Sequence, residues 1–465
     1  MHIKFLGANQ QITGSCYFLE VGGLKLLIDC GLYQERMYRG RNWEPFPVSL
    51  DEIDFLLLTH IHLDHSGLLP KIVREGLSKQ ILTTSPSKEL IPIMLLDSAH
   101  IQEEDAKFKK KRHAKEGRKG PFPEIPLYTV KEARQVFPLV KSVPYGSRYS
   151  LNHNVHVFFH DAGHILGSAM IELMISENGK QNRIIFSGDI GQWNKPIIRN
   201  PSVFEEADYI VMESTYGDRI HEDPADVEKL LCQVVNETVD AGGNVLIPTF
   251  ALERAQELMF YLSRLAKQNK IPDLMIFLDS PMAVNITQVF KNHKDSMDEE
   301  TRAIFNEGDS PFRFPGLKLV RSVEESKSIN FINEPCIIMA GSGMCTGGRI
   351  KHHLVRNITR PESTILFVGY QASGTLGRQI LERNSRVRIL GKYYPIKARI
   401  EEIHGFSSHA DRNGLLKWVE SLRFPPKRLF VTHGESKASF SIASEIKKKG
   451  WNVEVPEYLD EWDLE

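Results

Sequence analysis

The chain has 465 residues, 41% of them hydrophobic, so it is long enough for two or three domains with large buried cores. Its 58 lysines and arginines nearly balance its 59 aspartates and glutamates, and the net charge of −1 excludes the global basic field of an indiscriminate nucleic-acid binder. Any nucleic-acid site must therefore be local. Five cysteines without CxxC spacing favour a reducing compartment, and no apolar run approaches the roughly 20 residues of a membrane helix. We therefore expect a cytoplasmic protein with no membrane partner.

Short strands separated by turn residues are predicted over the first 211 residues. Three of them lead directly into polar side chains, at Asp29, at Thr59-His60 and at Ser187-Gly188-Asp189. An α/β scaffold builds a rigid site from distant parts of the sequence by gathering functional groups at strand ends. The predicted strands are Tyr17–Val21, Leu24–Ile28, Phe55–Leu58, Val155–Phe159, Met170–Met174 and Ile184–Phe186.

The densest positive segment of the chain lies within this first part, at residues 107–119, with the sequence KFKKKRHAKEGRK. It could guide a phosphate backbone, with Phe108 stacking on a base. A charge run of this kind is as often a solvated, mobile loop. The sequence leaves both interpretations open.

Alternating helices and strands are predicted after Glu213. This alternation indicates βαβ units and a parallel sheet, which would form a domain in its own right. The predicted elements are helix Ala225–Ala241, strand Asn244–Ile247, helix Ala251–Gln268, strand Asp273–Leu278, strand Cys336–Ala340, a helix from Gly348 and strand Thr364–Val368.

The last part of the chain returns to strands that end in histidine-bearing loops. A loop containing His409 precedes a predicted helix at Asp411–Leu422, and a predicted strand at Arg428–Val431 ends in Thr432-His433-Gly434-Glu435. We therefore predict one domain that is interrupted by another.

Four candidate metal ligands occur within six residues, directly after an apolar strand: His60, His62, Asp64 and His65. A loop allows neighbouring side chains to converge on a point from which a regular strand would alternate away. Imidazole and carboxylate suit zinc, with manganese or iron less favoured. This cluster predicts a metal site.

The loop cannot place all four groups on one ion without strain, because one zinc takes only three or four protein ligands. A second metal is therefore expected, with further ligands from other strand ends. The candidates are His164, Asp189 and His433. A carboxylate such as Asp189 can bridge two ions, whereas a neutral imidazole normally serves one.

These motifs resemble those of the metallo-β-lactamase superfamily, which has an HxHxDH loop followed by a histidine, an aspartate and a late histidine. Three further motifs resemble those of its β-CASP branch: Glu213 in ESTYG, His409 in FSSHAD and His433 in THGE. That branch includes the eukaryotic messenger-RNA 3′-end-processing endonuclease and bacterial ribonuclease J. Seven motifs occur in the family's order, and the resemblance covers essentially the whole chain.

The resemblance implies an α/β fold, namely a metallo-β-lactamase αββα sandwich interrupted by an inserted β-CASP α/β domain with a mainly parallel sheet. The implied domains are residues 1–213 and 396–465 for the metallo-β-lactamase domain and 214–395 for the β-CASP lid. The 244 positions between Asp189 and His433 hold this insertion. We expect the short form of the family, without appended RNA-binding modules.

The resemblance also assigns roles within the site. It implies that His60, His62 and His164 hold one zinc, that Asp64, His65 and His433 hold the other, and that Asp189 bridges them. The expected cofactors are therefore two Zn²⁺ per chain, for which Mn²⁺ could substitute. Asp29 orients the ligands, because metal-bound histidines usually donate their other ring N–H to a carboxylate or carbonyl.

The expected proton donor to the leaving 3′-oxygen is His409, with Glu213 orienting its imidazole and raising its pKa. In the lid, Ser342 and Gly343 of the GSGM segment could cradle a phosphate with backbone N–H groups, although a tight βα turn explains this glycine motif equally well. Arg378 matches a lid motif of the family. Ser342, Gly343 and Arg378 are therefore the candidate substrate-binding residues.

The function implied is a zinc-dependent ribonuclease that hydrolyses RNA phosphodiester bonds with a hydroxide activated by two metals, in RNA processing or decay. Endonucleolytic cutting is expected first and 5′-to-3′ exonucleolytic cutting second. The partner is single-stranded RNA, because a histidine at the position of His433 accompanies the family's RNA-acting members. DNA is a less expected substrate, and a homodimer is left open.

Two alternatives come from other functional classes. A non-catalytic scaffold subunit of an RNA-processing complex should lack ligands, whereas here every ligand position is filled. A small-molecule metallo-hydrolase would share the core of the fold but lack the Glu213, His409 and His433 motifs.

Overall fold

The computed structural model describes residues 1–177, 179–221 and 225–465. The chain forms two compact units. The first comprises Met1–Trp193, Asn200–Ile220 and His409–Glu465, and the second comprises Asn194–Arg199 and His221–Ser408.

One sheet of the first unit has the strand order β22-β1-β2-β3-β4-β5-β6. Its strands are β1 (His2–Gly7), β2 (Cys16–Val21), β3 (Leu24–Ile28), β4 (Phe55–Leu57), β5 (Gln80–Thr83), β6 (Val140–Ser142) and β22 (Glu461–Asp463). Pairing is antiparallel from β22 to β3 and parallel from β3 to β6. The parallel strands β3 and β4 end where Asp29 and the His60 loop begin.

The other sheet of this unit has the order β21-β20-β11-β10-β9-β8-β7. Its strands are β7 (Tyr149–Ser150), β8 (Val155–Asp161), β9 (Ala169–Glu177), β10 (Lys180–Phe186), β11 (Tyr209–Met212), β20 (Arg428–Val431) and β21 (Val453–Glu454). From β10 to β21 the pairing is parallel. The neighbours β11 and β20 are thus separated in sequence by the whole of 221–408.

The two sheets pack face to face around one core. Phe5 and Leu26 of the first sheet and Phe159 and Ile184 of the second are buried in a single apolar cluster. On the outer face of the second sheet, Trp418 packs with other apolar residues that include the strand residues of β9 to β11. The helices of this unit are α1 (Leu63–Ser66), α2 (Leu69–Arg74), α3 (Ser85–Glu116), α4 (Val130–Val136), α12 (Arg412–Val419) and α13 (Ser436–Lys447). This αββα arrangement confirms the predicted sandwich.

The second unit contains an all-parallel sheet of order β14-β13-β15-β12-β16-β19. Its strands are β12 (Val245–Pro248), β13 (Met275–Asp279), β14 (Leu317–Leu319), β15 (Cys336–Ala340), β16 (Thr364–Phe367) and β19 (Arg399–Glu402). A separate hairpin is formed by β17 (Arg386–Ile389) and β18 (Lys392–Pro395). The parallel sheet predicted for the insertion is therefore confirmed.

The helices of the second unit lie between these strands in the sequence. They are α5 (Ala225–Asp240), α6 (Arg254–Lys267), α7 (Pro281–Asn292), α8 (Glu299–Asn306), α9 (Val323–Ser328), α10 (Ile350–Asn357) and α11 (Leu376–Leu381). The predicted start of the second helix at Ala251 is three residues early. Glu253 has φ 64°, a left-handed conformation that a helix cannot include, so α6 begins at Arg254.

The limits of the two units differ from the predicted boundaries at 213/214 and 395/396. Residues 214–220 belong to the first unit and 396–408 to the second. The second difference has a clear cause, because β19 pairs in parallel with β16 and so completes the sheet of the inserted unit.

The basic segment 107–119 is not a mobile loop over most of its length. Residues 107–116 form the last part of α3, which ends where Gly117 adopts a left-handed conformation. The loop interpretation is therefore wrong for these residues, and the segment presents its charges on a helix. No helix in the described part of the chain has the length and apolar character needed to cross a membrane.

Candidate metal centre

Three neighbouring parallel strands each deliver one polar side chain to the same edge of the second sheet. Asp189 follows β10, Glu213 follows β11 and His433 follows β20, and these strands lie side by side. The carboxyl ends of parallel strands meet at one edge, so residues separated by up to 244 positions come together there. The His60 loop after β4 and the His164 loop between β8 and β9 supply the remaining groups.

His60, His62, His164 and Asp189 form the first group of potential ligands. The Nδ1 atom of His62 lies 3.2 Å from Nε2 of His60 and 3.2 Å from Nε2 of His164. Asp189 Oδ2 lies 3.4 Å from Nε2 of both His60 and His164. Tetrahedral zinc with ligands at about 2.0 to 2.1 Å separates those ligands by about 3.4 Å. These atoms are therefore spaced as the ligands of one cation.

Asp64, His65 and His433 form the second group. The Nε2 atoms of His65 and His433 lie 3.0 Å apart, and Asp64 Oδ2 lies 3.7 Å from Nε2 of His433. Asp189 turns its other oxygen, Oδ1, to this group, 3.2 Å from His65 Nε2 and 3.5 Å from His433 Nδ1. Asp189 thus presents one oxygen to each group, as a bridging carboxylate would.

The residues present fit a metal site, because the hydrogen bonds within the cluster leave buried polar atoms without a partner. Both oxygens of Asp189 are buried and have no hydrogen-bond partner among the described residues. An unsatisfied buried carboxylate is costly, and a cation would remove that cost. Burial, together with the nearby His65, lowers the pKa of His60 to about 3, and burial also lowers the pKa of His164. Both imidazoles are therefore neutral, which is the form that binds metal.

Asp29 and Thr59 hold two of the histidines in place. Asp29 accepts hydrogen bonds from the backbone N–H and the hydroxyl of Thr59, at 2.7 and 2.8 Å, and its Oδ2 lies 2.7 Å from Nδ1 of His65. Thr59 Oγ1 lies 3.1 Å from Nδ1 of His60. These bonds leave Nε2 of both rings facing the centre, so Asp29 is placed to orient ligands without being one itself.

Glu213 and His409 meet beside the metal ligands. Glu213 is buried and accepts hydrogen bonds from the backbone N–H groups of Ile190 and Thr215. Its two oxygens lie 3.2 and 3.3 Å from His409 Nδ1, and His409 Nε2 lies 3.8 Å from Asp189 Oδ2. Burial alone would lower the pKa of His409, but the charges of Glu213 and Asp189 raise it to about 9. The imidazole is therefore protonated at neutral pH.

Two threonines have roles in the site that their positions in the sequence do not indicate. Thr59 links Asp29 to His60, and Thr215 places Oγ1 3.2 Å from Nδ1 of His433. Thr59 is adjacent to His60, and Thr215 lies two residues after Glu213. That adjacency is the only signal in the sequence, because hydroxyl side chains next to ligands are common without such a role.

The three candidate substrate-binding residues lie in the second unit. The N–H of Ser342 donates to the Gly347 carbonyl, its hydroxyl accepts from the Gly347 N–H at 3.1 Å, and α10 begins only at Ile350. The segment is therefore a loop closed on itself rather than an open cradle at a helix N-terminus. Gly343 packs against the Phe250 ring, which a side chain at this position would meet at 2.8 Å.

Arg378 lies close to this loop in the fold. The N–H of Gly377 donates to the carbonyl of Met344, so the start of α11 is adjacent to the GSGM segment. The guanidinium group itself is exposed and pairs with Glu382 at 2.7 Å. Substrate binding by Ser342, Gly343 and Arg378 stays a prediction.

Comparison with known protein families and proteins gives consistent matches along the chain. A metallo-beta-lactamase superfamily domain matches residues 18–209, a Beta-Casp domain matches 255–380, and a Zn-dependent metallo-hydrolase RNA specificity domain matches 393–456. A crystal structure of a protein of unknown function from Enterococcus faecalis superposes with a TM-score of 0.54 over 100% of this chain and 99% of its own. At 10% identity that likeness concerns the fold alone.

Two curated relatives are similar over almost the whole chain. Ribonuclease TTHA0252 of Thermus thermophilus is 34% identical over 458 residues, which cover 98% of this chain and 99% of the relative. Transcription termination factor FttA of Methanocaldococcus jannaschii is 31% identical over 461 residues, 96% of this chain and 69% of the relative. With the three matched domains in order and the αββα sandwich interrupted by a parallel-sheet unit, the chain belongs to the β-CASP branch of the metallo-β-lactamase superfamily.

Proposed function

We propose that this chain is a ribonuclease that hydrolyses phosphodiester bonds of single-stranded RNA at a centre of two Zn²⁺ ions. The observation that carries the proposal is the position of Asp189, which presents one unsatisfied oxygen to each of two ligand groups. The match to an RNA specificity domain and the similarity to a protein named as a ribonuclease support RNA as the substrate. Mn²⁺ is the expected substitute metal.

The ligand groups define where the reaction takes place. Two bound ions would supply a hydroxide near neutral pH and would neutralise charge on the phosphate oxygens. His60, His62 and His164 would hold one ion and Asp64, His65 and His433 the other, with Asp189 shared. Asp29 keeps the His65 ring in the orientation that directs Nε2 to the centre.

His409 is the proton donor in this proposal. Its Nδ1 faces Glu213, so the proton that can be given away is the one on Nε2, which is directed toward the ligand groups. Hydroxide, formed when water gives up one proton to solvent, attacks phosphorus, the bond to the 3′-oxygen breaks, and His409 Nε2 protonates that leaving oxygen. The products are a 5′-phosphate and a 3′-hydroxyl, and the 2′-hydroxyl takes no part.

The alternatives have less support. A scaffold subunit has no use for seven imidazoles and carboxylates that form two groups, in each of which the ligand atoms lie within 4.8 Å of one another. A thioester hydrolase does not need the Glu213 and His409 pair, because a thiolate leaves without a proton. We expect endonucleolytic cutting first, 5′-to-3′ exonucleolytic cutting second, and slower cleavage of DNA.

The proposal is tested with end-labelled RNAs that carry a 5′-hydroxyl, a monophosphate or a triphosphate. Internal products from all three indicate an endonuclease, and mononucleotides from the monophosphorylated RNA alone indicate a 5′ exonuclease. Cleavage should stop with a chelator, return with zinc, and be lost in the Asp64→Ala/His65→Ala variant, which should also purify with less metal.

The matched control is His2→Ala/Asp463→Ala, which removes another His–Asp pair of the same unit, 3.1 Å apart at the surface. It should cleave and bind metal as the wild type does. RNA cleavage that survives both chelation and the loss of Asp64 and His65 would refute the proposal. Faster hydrolysis of a lactam or thioester than of RNA would also refute it.

A further inference from the structure

The hairpin β17–β18 lies in a stretch of the second unit whose charged residues are all positive. Residues 383–400 contain six lysines and arginines and no aspartate or glutamate. The chain as a whole is close to neutral, so this stretch departs strongly from the average. A segment with this excess of positive charge attracts a polyanion.

The strand register places the basic residues on the outer face of the hairpin. Arg388 pairs with Tyr393 and Arg386 pairs with Pro395, and side chains of paired residues share a face. The intervening Val387 and Ile389 point the other way and are buried, whereas Arg386 and Arg388 are exposed. The two arginines are about 7 Å apart along the strand, so their guanidinium groups can reach neighbouring phosphates.

An exposed aromatic ring lies between the arginines. Tyr393 is 62% exposed, which is unusual for a side chain of this size, and the guanidinium carbon of Arg386 lies 5.0 Å from the centre of its ring. Arg388 is directly opposite Tyr393 in the register. An accessible aromatic ring flanked by cations is the arrangement with which proteins bind unpaired bases by stacking.

The hairpin is rigidly seated, which makes its outer face a preformed surface. Val387 and Ile389 belong to a buried apolar cluster that also contains Leu354 of α10 and Ile380 of α11. The hairpin is also continuous with α11, which carries Arg378, the arginine already considered for substrate binding. Little order would therefore be lost when a ligand binds.

The basic end of α3 is a useful contrast, because acidic residues of its own segment pair with part of its positive charge. Lys107 lies 2.9 Å from Glu104, Lys109 lies 3.9 Å from Asp105, and Glu116 pairs with Arg118. By contrast, neither Arg386 nor Arg388 of the hairpin forms an ion pair with any residue that the structure describes. The hairpin thus combines unpaired arginines with an exposed tyrosine on one face of a strand pair.

We propose that the outer face of this hairpin binds single-stranded RNA, with a base stacked on Tyr393 and phosphates held by Arg386 and Arg388. This inference rests on the proposed function for the identity of the strand. Stacking accepts any base, so the hairpin adds affinity for unpaired RNA and little preference for sequence. Duplex RNA gains little from it, because paired bases cannot reach Tyr393.

The test measures binding by fluorescence anisotropy, with a labelled single-stranded RNA of about 20 nucleotides whose integrity is checked on a gel. Tyr393→Ala should weaken binding at least about fivefold, and Tyr393→Phe should restore it, because stacking needs the ring and not the hydroxyl. Arg386→Ala/Arg388→Ala should reduce the slope of log K against log salt by about 1.4, which is about 0.7 for each lost phosphate contact.

The matched control is Lys318→Ala/Lys327→Ala, which removes two exposed cations from the same unit and changes the net charge equally. If the hairpin variants and this control bind RNA alike, the inference is wrong and the exposed face is left for a protein partner. Failure of the proposed function looks different. A wild-type protein that shows the hairpin dependence but cleaves no RNA would refute the nuclease and leave the hairpin inference standing.

Discussion

Two buried clusters of charge, one in each unit, are built around an aspartate at the carboxyl end of a strand. In the second unit, Asp279 ends β13 and is fully satisfied: Arg349 donates to Oδ1 at 2.7 Å, while His353 and Ser326 bind Oδ2 at 2.7 and 2.6 Å. In the first unit, Asp189 follows β10 and neither of its oxygens has a hydrogen-bond partner among the described residues.

The difference separates a structural cluster from a functional one. Both aspartates are buried, both have histidines near them and both have a lowered pKa. Only the Asp189 cluster leaves oxygen atoms without donors, so only that cluster needs a cation to complete it. Burial and histidine content alone would not have distinguished the two.

The same substitution in both clusters gives the sharpest test of this difference. Asp189→Asn should reduce RNA cleavage by about a thousandfold or more and reduce bound metal, because it removes the shared ligand. The metal-free variant should also be less stable than the metal-free wild type, because the charges of His433 and His65 overcome burial, lower the pKa of Asp189 and so stabilise its carboxylate. Metal analysis and melting in chelator measure this. A variant that keeps both ions would contradict the bridging role.

His409→Ala should reduce RNA cleavage by about 10² to 10⁴-fold while the metal content stays unchanged, because a proton donor acts on the leaving group and not on the ions. A phosphodiester with a p-nitrophenolate leaving group needs no such proton, so the variant should cleave it nearly as fast as the wild type does. An equal loss on both substrates would show that His409 has another role.

Asp279→Asn should lower the free energy of unfolding by about 3 kcal/mol without loss of metal, because it leaves the buried His353 and the partly buried Arg349 with an incomplete partner. These partners overcome burial and hold the pKa of Asp279 below its ordinary value. The stability it contributes is thus present above about pH 4 and is lost as the pH falls through the lower folded-state pKa. Denaturant titrations should show the variant and the wild type converging only in acid.

Asp29→Asn should weaken metal binding by about 10 to 100-fold, as loss of a carboxylate behind a metal-bound histidine does elsewhere. Competition with a chelator measures this affinity. The control is Asp54→Asn in the same unit, where the carboxylate accepts a hydrogen bond from the Lys25 N–H and touches no ligand. Equal affinity in both variants would mean that Thr59 alone orients the histidines.

Arg378→Ala should have the smallest effect, a rise in KM of about threefold with kcat unchanged, because an exposed arginine paired with Glu382 contributes little beyond surface charge. Arg360→Ala, which disrupts a similar surface pair with Glu362, is the control and should leave KM unchanged. A fall in kcat would instead place Arg378 at the reacting groups.

The metal cluster was largely predictable, because its ligands follow apolar strands and four of them lie within six residues. The meeting of Glu213 with His409 was not, since β11 and the His409 loop are 196 positions apart and no periodicity connects them. Only the resemblance to a family suggested that pair. The parallel sheet was predictable from the alternation of elements, although Glu253 shifted the start of α6 through its left-handed backbone.

The surfaces were much less predictable than the centre. The sequence drew attention to 107–119 for its charge, but it did not show that α3 extends to Glu116 and pairs several of those cations. It also gave no prominence to 383–400, where Arg386 and Arg388 form no ion pair because the stretch contains no acidic residue. The net charge of a segment is informative only when the acidic residues three or four positions away on the same helix are counted as well.

The pairing of β20 with β11 also has a consequence for how the protein is made. The last ligand, His433, follows a strand that must find its neighbour across the whole of 221–408, so the centre has a very high contact order. A ribosome delivers the chain from the amino terminus, and the nascent protein lacks that ligand until residue 433 has emerged. The two-metal centre can therefore be completed only after β20 has been synthesised and has paired with β11.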